Sequence, residues 1–138
     1  MTTSFKTIVL ALAVLALGSA QASPEKYKER LAQVMNNAGP PVGSVVYHGT
    51  YSWEALGDHS LLLWETPQRA YFVDVDSICD ELPWANAIVV DFRNMTLDSK
   101  FDNILVGGRR CRIQELRAVD VKGLRAAQRQ AKDKDHDD

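Results

Sequence analysis

Apolar residues recur at two spacings along this chain, and the change from one to the other divides it. From Pro24 to Asn37 the stretch PEKYKERLAQVMNN sets Tyr27, Leu31, Val34 and Met35 on one side of a helical period. Ser23 stands where a cap belongs, Pro24 suits the first helical position, and Glu25 complements the positive end of the helix dipole. Gly39 and Pro40 end the segment. The pattern predicts an amphipathic helix whose apolar stripe packs on a core.

From Gly43 onward the spacing is that of strands. Val45 to Tyr47 forms a first short one, His48-Gly49-Thr50 breaks it, and Tyr51 to Trp53 resumes it. Leu56 to His59 is a turn signal before the dense run SLLLWET, Ser60 to Thr66, which Pro67 closes. In RAYFVDV, Arg69 to Val75, Tyr71, Val73 and Val75 alternate with Phe72 and Asp74, the period of a half-buried strand. The short connection TPQ predicts an antiparallel pair. Asp76 to Leu82 reads as a helical turn capped by Asp76 or Ser77 and stopped by Pro83. Ala87 to Phe92 is a continuous apolar stretch, which predicts a central strand. Asn94 to Lys100 is a connection, Phe101 to Val106 a further strand, and Gly107-Gly108 a tight hairpin turn. Arg110 to Leu116 follows, with Cys111 and Ile113 on one side and Arg112, Gln114 and Leu116 on the other.

Val121 to Ala131 has helical composition, weakened by about 1 kcal/mol at Gly123. The closing KDKDHDD has no apolar side chain and is expected to be disordered. Strands joined by short turns between two helices predict an α+β fold. Its mainly antiparallel β sheet or small open barrel carries an N-terminal helix and a short C-terminal helix.

The first residues change the picture of where this domain resides. MTTSFK carries Lys6, an apolar run covers Ile8 to Leu17, and small residues stand at Ala20 and Ala22. This is the three-part pattern of a secretory signal peptide, and the run is too short to span a bilayer. Cleavage after Ala22 is expected, giving residues 1–22 as signal peptide, 23–131 as a single globular domain and 132–138 as a charged tail. No transmembrane anchor follows the cleavage, and the expected location is periplasmic or secreted. Loss of Lys6 leaves 15 basic against 18 acidic residues. That balance argues against nucleic acid as a partner, since phosphate binding relies on a basic face.

The chain has two cysteines, Cys79 and Cys111. In an exported chain a distant pair reads as a structural disulfide, and the spacing of a reactive CxxC pair is absent. A bridge between them closes the strands AIVVDF and FDNILV into one unit, a stabilisation of roughly 3–4 kcal/mol.

Candidate chemistry is sparse. Asp74, Asp76, Asp80 and Glu81 are closely spaced carboxylates, but the glycine and the loop spacing of an EF-hand are missing, and Asp76 and Asp80 serve as cap and first-turn residues. No metal and no cofactor are expected. Asp58-His59-Ser60 holds the residue types of a hydrolase triad, yet triad members meet in space and are not sequence neighbours. No GxSxG elbow surrounds a serine. A histidine base outside the tail is therefore His48 or His59, with Asp58 or Asp102 as its carboxylate. Arg109, Arg110 and Arg112 make a basic patch that suits an anionic ligand or acts as a charged, aggregation-resistant hairpin edge. Trp53, Trp64 and Trp84 with Tyr47, Tyr51 and Tyr71 either line a pocket of an open barrel or fill its core.

RAYFVDV followed by SICDEL, ANAIVV, KFDNILV, CRIQEL and AVD resembles a family of small exported Gram-negative bacterial proteins classed only as a domain of unknown function. Tyr71, Cys79, Leu82, Phe101, Asp102, Cys111, Arg112, Ile113 and Asp120 carry the resemblance. It implies export and a paired-cysteine domain, and supplies no catalytic residues. The reading is an exported, disulfide-containing domain, non-enzymatic, that binds a small hydrophobic or anionic ligand or an envelope protein. Its candidate ligand residues are Trp53, Trp64, Tyr71, Trp84, Arg110 and Arg112. The alternative is a small cell-envelope hydrolase using His48 or His59.

Overall fold

One long strand near the C-terminus holds the sheet together. In a computed structural model, which describes residues 24–137, β9 (Arg109–Val119) runs 11 residues and pairs with three others. Before it come α1 (Pro24–Asn36), β1 (Ala38–Pro41), β2 (Ser44–Val46), β3 (Ser52–Ala55), β4 (Ser60–Thr66), β5 (Arg69–Val75), a 3-10 turn (Leu82–Trp84), β6 (Ile88–Asp91), β7 (Thr96–Asp98) and β8 (Asn103–Val106). After it comes α2 (Val121–Asp137). The first half of β9 pairs with β8, setting Ile104 opposite Cys111 and Leu105 opposite Arg110. Its second half pairs with β5, setting Val73 opposite Leu116 and Tyr71 opposite Ala118. Its end also pairs with β1.

The result is an antiparallel sheet of order β3-β4-β5-β9-β8-β6, curled into a half-barrel, with β2 and β7 as a separate ribbon. A register shift between Asp74 and Val75 marks a bulge where β9 changes partners. An extra residue there swaps the sides of a strand, so Cys111, Ile113 and Leu116 are all buried despite the odd spacing.

Each face has its own core. On the concave side Leu61, Leu63, Tyr71, Val73, Val75, Ile104 and Leu116 pack with Tyr47, Leu82 and Leu97. On the convex side Leu56, Leu62, Ala70 and Phe72 pack with Val34 of α1 and Val121 and Leu124 of α2. The period-two alternation of β4 and β5 feeds both cores, which is why these strands follow the expected bounds to the residue. Cys79 and Cys111 form the disulfide in the concave core, with Cα atoms 6.0 Å apart. The loop it closes contains β6, β7 and β8.

Several expectations change. The apolar run from Ala87 to Phe92 forms β6, and β6 is an edge strand, because among the described residues only β8 pairs with it, and Val89 is exposed. Pro83 does not stop a helix after Leu82; it sits within the 3-10 turn Leu82–Trp84, near its start, where its missing amide is not needed. Asn94 to Lys100 holds a strand, β7, entered through a turn in which Asn94 and Met95 have φ of 51° and 54°.

The C-terminal helix runs to Asp137, covering most of the stretch expected to be disordered. Packing of Val121 and Leu124 and capping by Asp120 nucleate it, and later residues need only propagate it. Lys134 and His136 in the last turn suit the negative end of its dipole. The residues read as a signal peptide lie outside the described ones. Among the described residues no helix is long and apolar enough to cross a membrane.

Candidate functional site

The two helices cover only part of the convex face. They lie over β4, β5 and the end of β9, and among the described residues no layer covers the outer side of β6, β8 and the first half of β9. Across those strands the register places Val89, Leu105 and Arg110 in one row. Asp91, Asn103 and Arg112 form the next. Beside the first row the 3-10 turn sets Trp84, which is 74% exposed, while Val89 is 60% exposed. Together they border a groove of about 510 Å³ lined by Glu81, Trp84, Ala87, Val89, Leu105 and Gly107.

Gly107 and Gly108, with φ of 57° and 81°, make the tight turn between β8 and β9. Both residues of such a turn need left-handed backbone, which glycine adopts without a steric cost. The turn brings three guanidiniums to this end of the sheet. Arg110 Nη1 reaches back across β8 to within 3.6 Å of Asp91 Oδ2. Arg109 Nη1 donates to the carbonyl of Ile78 at 3.1 Å. Arg110 and Arg112 are exposed.

The six predicted ligand residues do not meet in one pocket. Trp84, Arg110 and Arg112 share the uncovered outer face. Trp53 is half-buried against the concave core, Trp64 half-buried against the helix-side core, and Tyr71 is buried in the sheet. Trp53 and Trp64 stand on neighbouring strands and point to opposite faces, since the partner of Trp53 is Leu63.

A second polar cluster sits on the concave side. Glu65 is buried at the end of β4, and its Oε1 lies 2.7 Å from His48 Nδ1. Tyr71 Oη lies 3.2 Å from both Glu65 Oε2 and the carbonyl of Val46, and its single proton is shared between these two acceptors. Arg69 Nη1 is 3.6 Å from the same carboxylate. Burial opposes the charge of Glu65 and is the largest single influence on it. The hydrogen bonds from His48 and Tyr71, with the charge of Arg69, together outweigh burial and hold its pKa below the ordinary value. The ionised carboxylate accepts from Nδ1–H of His48, which leaves Nε2 as the free nitrogen of an exposed ring. Burial pushes the Tyr47 hydroxyl up to about 12, against the lowering effect of its hydrogen bond with Thr50. Burial and the charge of Glu65 also raise Tyr71.

The second histidine differs. His59 Nδ1 lies 2.8 Å from Asp74 Oδ1, and Ser60 Oγ donates to that same oxygen at 2.8 Å. The serine proton is thus directed at the carboxylate and not at the imidazole, which is not the geometry of an activated nucleophile. Neither expected carboxylate partner holds a histidine among the described contacts. Asp58 is exposed. Asp102 is buried, and its Oδ2 accepts from the amide of Asp98 at 2.8 Å to shape the turn into β8. Of the acidic cluster, Asp76 accepts from the amide of Ile78, while Asp80 and Glu81 are exposed. Among the described residues no three histidine, cysteine or acidic side chains gather as a metal site.

Glu65 is the polar residue that the sequence reading passed over. Its signal is a single carboxylate in SLLLWET on the same side as Leu61 and Leu63, a position the strand period assigns to the core.

The residues that carry the family resemblance are mostly structural. Tyr71, Cys79, Leu82, Cys111 and Ile113 are buried in the concave core. Asp102 anchors a turn, and Asp120 Oδ1 accepts from the amide of Gly123 at the start of α2. No curated protein and no solved structure matches the chain. The model of a family of unknown function, DUF6491, matches residues 1–135, and the chain belongs to that family.

Proposed function

We propose that the protein is an exported, disulfide-clamped, non-enzymatic domain that binds a ligand or protein partner on the outer face of β6, β8 and the first half of β9. One observation carries this reading: Trp84, 74% exposed, stands beside Val89 in a groove on a sheet face that neither helix covers. An exposed tryptophan among apolar side chains, with the polar Glu81 and Asn86 at the margin, is the composition of a binding hot spot. The Cys79–Cys111 bridge supports residence in an oxidising compartment such as the periplasm. It also fixes the segment before Trp84 against β9.

The test is a native mass spectrum of the protein recovered from the exported fraction of its own cells. A chain beginning at Ser23, lighter by two hydrogens and carrying an adduct that Trp84→Ala loses, is expected. An adduct retained by Trp84→Ala places the binding face elsewhere.

A second reading, a small cell-envelope hydrolase, is favoured by the 2.7 Å contact between His48 and the buried Glu65. A carboxylate that orients Nδ1–H of a histidine prepares Nε2 to take a proton. In this reading His48 is the base and Glu65 its positioning residue, in place of Asp58 or Asp102. Replacing His48 and His59 together by alanine separates the two readings. Binding that survives the double change, with no loss of any hydrolytic turnover, removes the enzyme.

A further inference from the structure

Two carboxylates are buried among the described residues, and they are used differently. Asp102 accepts from a backbone amide and shapes a turn. Glu65, its side chain 3% exposed, holds two side chains that are each 56% exposed, His48 and Arg69. One oxygen faces His48 Nδ1 at 2.7 Å, and the other faces Tyr71 Oη at 3.2 Å and Arg69 Nη1 at 3.6 Å. With both oxygens engaged below the surface, the cluster presents no acceptor to a cation. What it turns to solvent is donors. These are Nε2–H of a protonated His48 and the guanidinium N–H groups of Arg69 that do not point at Glu65. The space beside His48 is open, since a Cβ built on Gly49 meets nothing within 4 Å.

We propose that this cluster binds an oxyanion, the carboxylate, phosphate or sulfate group of a small ligand, with Arg69 and His48 as donors and Glu65 as the residue that positions both. The proposal takes from the second reading its place in the fold, and does not require turnover. Guanidinium and imidazolium groups make the short, charge-assisted bonds that such a group accepts. Folding shifts the proton affinity of Glu65, Tyr71 and Tyr47, which stand together here, as groups at ligand sites do.

The charges around the cluster favour an anion. At the closed end of the β4–β5 hairpin Arg69 stands opposite Thr66, and Arg125 reaches from α2 to donate to the carbonyl of Pro67. In the β2–β7 ribbon the carbonyl of Met95 accepts from the amide of Tyr47, which brings Arg93, two residues earlier, to the His48 end. Against these stand Glu65 and Asp120. Asp120 follows Val119, the partner of Ala70, and its Oδ1 is committed to the amide of Gly123 at the positive end of α2. Three guanidiniums against two carboxylates leave one positive charge, and a protonated His48 makes it two. The other acids are remote. Asp58 and Asp74 lie at the open end of the hairpin, about 20 Å along the strands. Glu54 is on the convex side, bound to Arg30 of α1, and Asp98 is at the far end of the ribbon, opposite Ser44. The first acid of α2 beyond Arg125 is Asp133, about 12 Å along the helix.

The probe is sulfate, titrated into the isotopically labelled, oxidised protein at an ionic strength held constant with chloride, while histidine and arginine side-chain nitrogens are followed by NMR. Saturable shifts are expected at His48 and Arg69 and none at His59, whose carboxylate Asp74 has no arginine paired with it among the described contacts. Arg69→Gln and His48→Gln each weaken binding about tenfold, and Arg125→Gln, which removes only a neighbouring charge, about twofold. All three side chains are exposed, so an unchanged amide spectrum elsewhere verifies the fold. Affinity is expected to fall about fivefold from pH about 5.5 to about 8.5, the range in which an imidazole loses its proton. Phosphate and acetate titrated in the same way tell whether a tetrahedral anion or a carboxylate is preferred, and either preference upholds the site. Shifts that follow ionic strength alone, equal shifts at His59, or undiminished affinity in Arg69→Gln overturn it. Binding that Arg69→Gln abolishes, in a protein without hydrolytic turnover, upholds the site and counts against the second reading. Turnover that His48→Gln abolishes, with no sulfate bound, does the reverse.

Discussion

Reduction of the Cys79–Cys111 bridge is predicted to loosen the putting-together of one half of the sheet while leaving its chemistry in place. The two thiols stay in positions that are 2% and 0% exposed, so reduction removes the cross-link without opening a cavity. With 32 residues of sequence separation, the chain-entropy relation gives about 12 cal/mol/K, or about 3.7 kcal/mol at 25 °C. For a domain of this size that is a fall in midpoint of about 15 °C. The loop encloses β6, β7 and β8, so the loss falls first on the strands that build the Trp84 groove.

Circular dichroism melts of oxidised and reduced protein measure the global change, and hydrogen exchange locates it. Exchange of the β6 and β8 amides is expected to speed up more than that of β4 and β5. The latter two are held by seven-residue strands with a core on each side. A destabilisation below about 1 kcal/mol, or uniform acceleration across both halves of the sheet, refutes the clamp as described.

Three other outcomes follow from the same packing. Glu65 has its pKa lowered by folding, so its charge stabilises the native state above the unfolded value of 4.5, and that contribution is lost as pH falls through the folded value; Glu65→Gln is expected to flatten the acid limb of the urea midpoint against pH. Gly123→Ala gains about 1 kcal/mol of helix propensity, but the new Cβ collides with Asn37 Oδ1 and meets Asp120 Oδ2 at 2.9 Å. Asn37 is held by a bond from Nδ2 to the carbonyl of Gln33 and Asp120 by its cap bond to α2, each worth about 1 kcal/mol; the variant is therefore expected to lose about 1 kcal/mol in urea unfolding, and the same change made beside Asn37→Ala, where only the Asp120 contact remains, to be close to neutral. Met95 is a non-glycine residue at φ 54° and its side chain is exposed, so Met95→Gly is expected to raise stability by about 1 kcal/mol.

Much of the fold was legible because local and global signals agree. SLLLWET and RAYFVDV alternate, end at turn residues and form β4 and β5 at the expected bounds. Gly107-Gly108 demanded a left-handed turn and forms one. The cysteine pair is bridged. What misled was a continuous apolar run: IVV reads alike in a strand covered on both faces and in an edge strand whose Val89 lies bare. The difference is set by what packs from elsewhere, and no local signal carries it.

The partners of the histidines were hidden for a similar reason. His48 meets Glu65 across 17 positions from a loop that no local pattern places, and His59 meets Asp74 across 15 at the open end of the β4–β5 hairpin, where the turn signal fixes the pairing but not which carboxylate faces the ring. Of the aromatic residues, only burial sorts Trp53 and Trp64, which pack on the two cores, from Trp84, which packs on neither.

The central claim is that the Trp84 face is the one the protein uses. Brief hydroxyl-radical oxidation of the oxidised protein, once purified and once within the cells that produce it, compares the three tryptophans by mass spectrometry. In the purified chain Trp84 is expected to oxidise fastest, since Trp53 and Trp64 are half-buried. In the native compartment its rate is predicted to fall severalfold while Trp53 and Trp64 keep theirs. An unchanged rate at Trp84 would mean that nothing covers this face where the protein works, and would contradict the account.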